Sequence, residues 1–176
     1  MRKKLCFVVI IVFCILLLDH LTKWLIVTSL PQGTYIPVIE NIFDIVHTRN
    51  KGAAFGFLHG WESPYRNLLF YGIGILAFFF IFYYIKTTPY RDKITLFALA
   101  LITGGALGNI TDRLARDSVV DFLHFHYYDK IWSAQIFQME FLIPLSWPAF
   151  NVADSAISVG ICVLVLRSIF PFKGEK

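Results

Sequence analysis

Two aspartates stand out in this sequence as groups that could do chemistry together. Asp121 follows Gly104-Gly-Ala-Leu-Gly-Asn-Ile-Thr-Asp-Arg-Leu-Ala-Arg-Asp-Ser-Val-Val, and Asp154 closes Phe150-Asn-Val-Ala-Asp. They flank one polar loop, where an apolar segment ends and the next begins. Two carboxylates that share one proton can activate water with one member and protonate a leaving amine with the other, which is the chemistry of peptide hydrolysis. No metal or cofactor is needed. His124-x-His126 has strand spacing that could hold a metal, but the sequence offers it no evident partner, so no metal site is expected. Cys6, Cys14 and Cys162 all lie in apolar segments, so neither a disulfide nor a catalytic thiolate is expected.

The elements that must position these groups belong to a membrane protein. The chain has 176 residues, 57% of them hydrophobic and only 16% charged, with a mean hydropathy of +0.63. That composition excludes an ordinary soluble domain. The net charge of +4 does not point to nucleic acid, because the basic residues gather at segment ends where topology explains them. Four spans are expected, at 5–30, 68–85, 94–111 and 151–170, within one integral membrane domain covering 1–176. The first span could be read as a signal peptide, but no small-x-small site follows and no cleavage is expected. Arg2, Lys3, Lys4, Lys86, Arg91, Lys93, Arg167, Lys173 and Lys176 place both termini and the link between spans two and three on the cytoplasmic side. The loops 31–67 and 112–149 then face outward. Tyr35 to His47 and Val119 to Tyr127 have β character, and the aromatic-rich Ile131 to Leu145 suits an interfacial segment. The expected fold class is therefore mainly α, with four transmembrane helices, a small extracytoplasmic β-rich element and an interfacial segment.

This topology brings several polar residues to one outer layer. Asp19 and Lys23 lie one turn apart near the outer end of the first span and read as a structural ion pair. Asn109, Asp112 and Arg113 lie at the outer end of the third, where they could simply anchor a helix end. Asn151 could cap the fourth helix. Asp154, a turn inside that span, is harder to assign to structure alone, because an ionised group there is costly. In Asn50-Lys-Gly-Ala-Ala-Phe-Gly56, Asn50 offers both donor and acceptor, while small residues such as Gly52 permit close backbone approach.

Taken together, Asp19-His-Leu-Thr-Lys23, Asn50 to Gly56, Gly104 to Arg113, Val119-Val-Asp-Phe122 and Pro148-Ala-Phe-Asn-Val-Ala-Asp-Ser155 resemble the successive motifs of the lipoprotein signal peptidases, the type II signal peptidases of bacteria. The resemblance covers almost the whole chain. It implies a monomeric aspartyl endopeptidase of the bacterial cytoplasmic (inner) membrane, with four helices, an extracytoplasmic β-cradle and no cofactor. Its substrate would be a prolipoprotein cut before a diacylglyceryl-modified cysteine, and membrane lipid its other partner. Carried over by motif, Asp121 and Asp154 would be catalytic. Asn50, Gly52, Gly108, Asn109, Arg113 and Asn151 would support the site, with Asp19 and Lys23 close by. His20 stands where glutamine is usual and His124 where an acid is common, and Tyr128 to Ser146 exceeds the usual connection.

Three rival readings remain distinct. A Ser/Lys protease would use Ser155 or Ser118 with Lys23, an ion-coupled transporter would use the embedded charges as a path, and a scaffold subunit would tolerate loss of Asp154. The transporter is disfavoured because the polar groups stay in one outer layer.

Overall fold

A chain rich in apolar residues can satisfy its amides inside a bilayer only through helices or a closed barrel, and this one uses helices. They are α1 (Arg2–Ser29), α2 (Tyr65–Thr87), α3 (Lys93–Arg116) and α4 (Val152–Ile169); the strands are β1 (Tyr35–Ile39), β2 (Phe43–Asn50), β3 (Val119–Ile136) and β4 (Met139–Ser146). The computed structural model describes residues 2–51, 65–136 and 139–170. The elements divide into two units: Met1–Thr22, Gly60–Asp117 and Val152–Lys176 form a helical unit, and Lys23–His59 with Ser118–Asn151 a sheet unit. Among the described residues, α1, α3 and α4 are long and apolar enough to cross a membrane, and α2 carries the apolar run Gly72–Thr87.

In the helical unit α3 is the central helix. Leu96, Ala98 and Ala100 have no exposed surface, and Val8 of α1 joins Leu96 and Ala100 in the core. The outward faces are equally apolar: Phe80 is 73% exposed and Ile169 62%, the surface expected of helices that face lipid. Without a hydrophobic drive between helices in lipid, close packing depends on small residues. A Cβ on Gly105 would run into the Ala153 carbonyl, and one on Gly160 would lie 2.8 Å from the Ala98 carbonyl, so α3 and α4 approach each other through reciprocal glycines.

Charged ends close the helices. Lys4 Nζ donates to the carbonyls of Lys86 and Thr88 at 2.9 Å, taking up acceptors left over at the end of α2. Asp92 caps α3, accepting from the Thr95 amide at 3.1 Å and the Thr95 hydroxyl at 2.7 Å, and pairs with Arg167 of α4 at 3.5 Å. Burial raises the Asp92 pKa, but the two Thr95 bonds and then the Arg167 guanidinium outweigh it and hold the carboxyl below its ordinary 3.8. A folded pKa below the unfolded one gives stability that is present above pH 4 and lost as pH falls through the lower folded value. Asp92→Ala should therefore lower stability by about 1 kcal/mol near neutral pH. Thermal unfolding in detergent should show the gap to the parent protein narrowing toward pH 3, and a gap that does not change with pH would contradict this origin.

α3 runs past residue 111 to Arg116, and Asp117, with φ 53°, ends it by donating its amide to the Arg113 carbonyl at 3.0 Å. Asn109 and Asp112 are therefore helical residues whose side chains are directed by helical spacing, and Arg113 opens the last turn. Asp112 accepts from Arg116 at 2.7 Å one turn on.

The sheet unit is antiparallel throughout, in the order β1-β2-β3-β4. The first part of β3 pairs with β2, setting Asp44 opposite His124 and Thr48 opposite Asp121. Its second part pairs with β4, from Ile131 opposite Pro144 to Ile136 opposite Met139. Tyr128, with φ 51°, falls where the β3–β4 register shifts. His47 Nδ1 lies 2.8 Å from the Leu30 carbonyl, and the Gly33 amide bonds the His47 carbonyl at 2.8 Å, which ties the end of α1 to β2. Phe150 bonds Leu123 in both directions, at 2.8 and 2.9 Å, and so fixes where the chain leaves the sheet.

Candidate active site

Asp154 is held by helix geometry. It lies in the first turn of α4, where the exposed amides of a helix N-terminus favour a carboxylate. Asn109 Nδ2 donates to Asp154 Oδ1 at 2.8 Å. Asn109 can reach it because the glycines of α3 bring α4 close, and the residue is largely buried. Arg113, one turn on, contacts the Asn109 carbonyl at a long 3.4 Å.

Asp19 is tied to the same turn of α4. It is fully buried, and its Oδ1 accepts the Ala153 amide at 3.0 Å. The first amides of a helix have no partner within it, so a carboxylate from α1 satisfies one of them. Gly108 leaves the room: a Cβ there would lie 2.7 Å from Asp19 Oδ2 and 3.4 Å from the Ala153 methyl. His20 Nδ1 is 3.5 Å from Asp19 Oδ2.

In the sheet unit the other aspartate has an equivalent donor. Asp121 is 3% exposed, and Asn151 Nδ2 donates to its Oδ1 at 2.7 Å while also contacting the Val120 carbonyl at 3.3 Å. Asn151 immediately precedes α4, yet its side chain binds this carboxylate, a stronger role than the helix cap the sequence allowed. Thr48 donates its hydroxyl to the Asp121 carbonyl at 3.3 Å. A cleft of ≈ 270 Å³ opens beside these groups, lined by Tyr35, Thr48, Arg49, Asn50, Asp121 and His124 among others.

The candidate residues thus fall into two sets, Asp19, Gly108, Asn109, Arg113 and Asp154 in the helical unit and Lys23, Asn50, Asp121 and Asn151 in the sheet unit. Lys23 is fully buried. Gly52 lies outside the described residues. Thr48 and Arg49 escaped the sequence reading, although alternation along Phe43–Asn50 places them on successive faces of the strand that ends in Asn50. The Arg49 Nε is buried with no hydrogen-bond partner among the described residues.

Comparison with known proteins shows the family of the chain. Residues 11–170 match the model of a family described as signal peptidase (SPase) II. A lipoprotein signal peptidase of Bacillus pumilus (strain SAFR-032) is 38% identical over 170 residues, which cover 97% of this chain and 97% of that protein. Two solved structures described as bacterial membrane enzymes, determined by the in meso method at 2.3 and 1.9 Å, are also similar. The first superposes with a TM-score of 0.76 at 28% identity, over 96% of this chain and 91% of that one. The second gives 0.72 at 26% identity, over 94% of each.

Proposed function

The chain belongs to the signal peptidase II family, and from that premise we propose that Asp121 and Asp154 are the two carboxylates with which it removes the signal peptide of a prolipoprotein. It is a hydrolase of a bacterial membrane. The observation that carries the assignment is the matched pair of asparagine bonds, Asn109 to Asp154 and Asn151 to Asp121. Each orients one carboxylate through a single oxygen.

In the reaction, the ionised aspartate takes a proton from water, which attacks the scissile carbonyl. The protonated aspartate hydrogen-bonds that carbonyl and later protonates the leaving amine. Asn109 and Asn151 keep the two carboxylates turned toward the reacting atoms. Asp19 fixes the first turn of α4, and Arg113 and Asn50 support the surrounding polar layer. The end of the substrate helix must unwind before water reaches it, and polar groups near a membrane surface replace the amide bonds it gives up.

The finer setting follows the charge pattern. The basic residues at Arg2 to Lys4, in the α2–α3 link and after Arg167 put both termini in the cytoplasm and the site near the outer face of the inner membrane. The cut falls before a diacylglyceryl-modified cysteine, whose acyl chains lie against the exposed apolar helix faces, and a monomer forming one integral membrane domain suffices.

The direct test supplies purified protein in liposomes with a precursor peptide carrying a diacylglyceryl cysteine. Mass spectrometry should find a product that begins at the lipidated cysteine, and Ser155→Ala and Ser118→Ala should leave the rate within a few-fold. Loss of cleavage in either serine variant, with folding intact, would transfer the chemistry to a Ser/Lys mechanism.

A further inference from the structure

Asp44, His124 and His126 form a cluster on one face of the sheet that the peptidase chemistry does not use. His124 and His126 are two apart on β3, so both side chains point the same way, and antiparallel pairing sets Asp44 of β2 opposite His124. The sequence showed the two histidines without a partner; a residue 80 positions away supplies it. Asp44 Oδ2 lies 3.1 Å from His126 Nε2 and 3.5 Å from His124 Nδ1. One donor atom from each residue falls within 4.8 Å of the others, and all three residues are partly buried.

We propose that these three residues form a site for a divalent transition-metal ion of the zinc type. Donors held tetrahedrally at about 2.0–2.1 Å from zinc lie about 3.4 Å apart, close to the two carboxylate–imidazole distances of 3.1 and 3.5 Å. Two imidazoles and one carboxylate suit zinc, nickel or copper, whereas calcium and magnesium require mostly oxygen donors. A metal-bound histidine is typically oriented by a hydrogen bond from its other ring nitrogen, and here His124 Nε2 lies 3.1 Å from Ser146 Oγ. With Nδ1 on the ion, Nε2–H donates to Ser146. The Tyr35 ring meets the His124 ring edge-on at a centroid distance of 6.1 Å, packing a third side of it. Three protein donors leave a coordination position open to water or another ligand. His124 also lines the cleft that contains Asp121, so the ion sits against the wall of that cleft.

The test is a binding measurement on the full chain in detergent, stripped with chelator and titrated with Co²⁺, then with Zn²⁺. The expected result is one equivalent of Co²⁺ giving d–d absorption of a four- or five-coordinate ion, without thiolate charge transfer, and displaced by Zn²⁺. Ser146→Ala should weaken binding about 10–100-fold through loss of the orienting bond. Asp44→Asn, which preserves shape, and His126→Ala should weaken it at least as much, with thermal unfolding confirming that each variant folds. No binding by the parent protein, equal binding by the Asp44→Asn form, or a thiolate band placing the metal on cysteine would overturn the proposal.

Discussion

Asp154→Asn is expected to lower the rate of prolipoprotein cleavage by about 1,000-fold or more, the upper part of the range for loss of a positioned acid or base. Asparagine has the shape of aspartate and keeps an oxygen that can accept the Asn109 amide now 2.8 Å away, so the α3–α4 contact survives. What is lost is the ability to take up and return a proton at that position. Asp121→Asn should behave the same way for the same reason, with Asn151 still donating to the remaining oxygen. The two losses should not add when combined, because either one dismantles the pair. The measurement is single-turnover cleavage of a lipidated precursor, with substrate binding followed separately by crosslinking. Retention of even a tenth of the parental rate by either well-folded variant would remove its aspartate from the chemistry and favour a scaffold or serine reading.

Asn151→Ala is expected to impair both stability and rate. The carboxamide is fully buried and serves two acceptors, Asp121 Oδ1 and the Val120 carbonyl. Removing it strands buried acceptors at about 1–3 kcal/mol each unless water enters, a cost that thermal unfolding in detergent should register as a clear downward shift. Cleavage should fall about tenfold or more through kcat, with KM little changed, because the affected interaction orients a reacting group and leaves the rest of the substrate's contacts in place. Asn151→Asp should be worse still, since it sets a second carboxylate 2.7 Å from Asp121. Parental kcat in Asn151→Ala would mean that Asp121 needs no orientation from this side chain.

The resemblance read from the motifs and the family match agree, and the reason is physical as well as historical. Residues such as Gly105 and Gly108 have little freedom to change, because a methyl group there would meet the Ala153 carbonyl or the Asp19 carboxylate. A motif of glycines and one asparagine in an apolar helix is therefore an interface pattern and a site pattern at once.

Composition, span length and the placement of basic residues were enough to identify a membrane protein of four helices, because the bilayer acts on each segment separately and leaves its mark in local sequence. Two carboxylates at the edges of apolar segments were legible for the same reason, since burying a charge there is costly whatever lies beside it. Their partners were not. That Asn109 reaches Asp154 while its neighbour Asp112 turns to Arg116 depends on which face of α3 meets α4. That Asp19 binds the Ala153 amide, far along the chain, depends on how α1 packs. That Asp44 stands opposite His124 depends on the register of β2 against β3, in which a slip of one residue would send every side chain to the other face. Local sequence sets the cost of burying each polar group, but only the packed chain decides which partner offsets it.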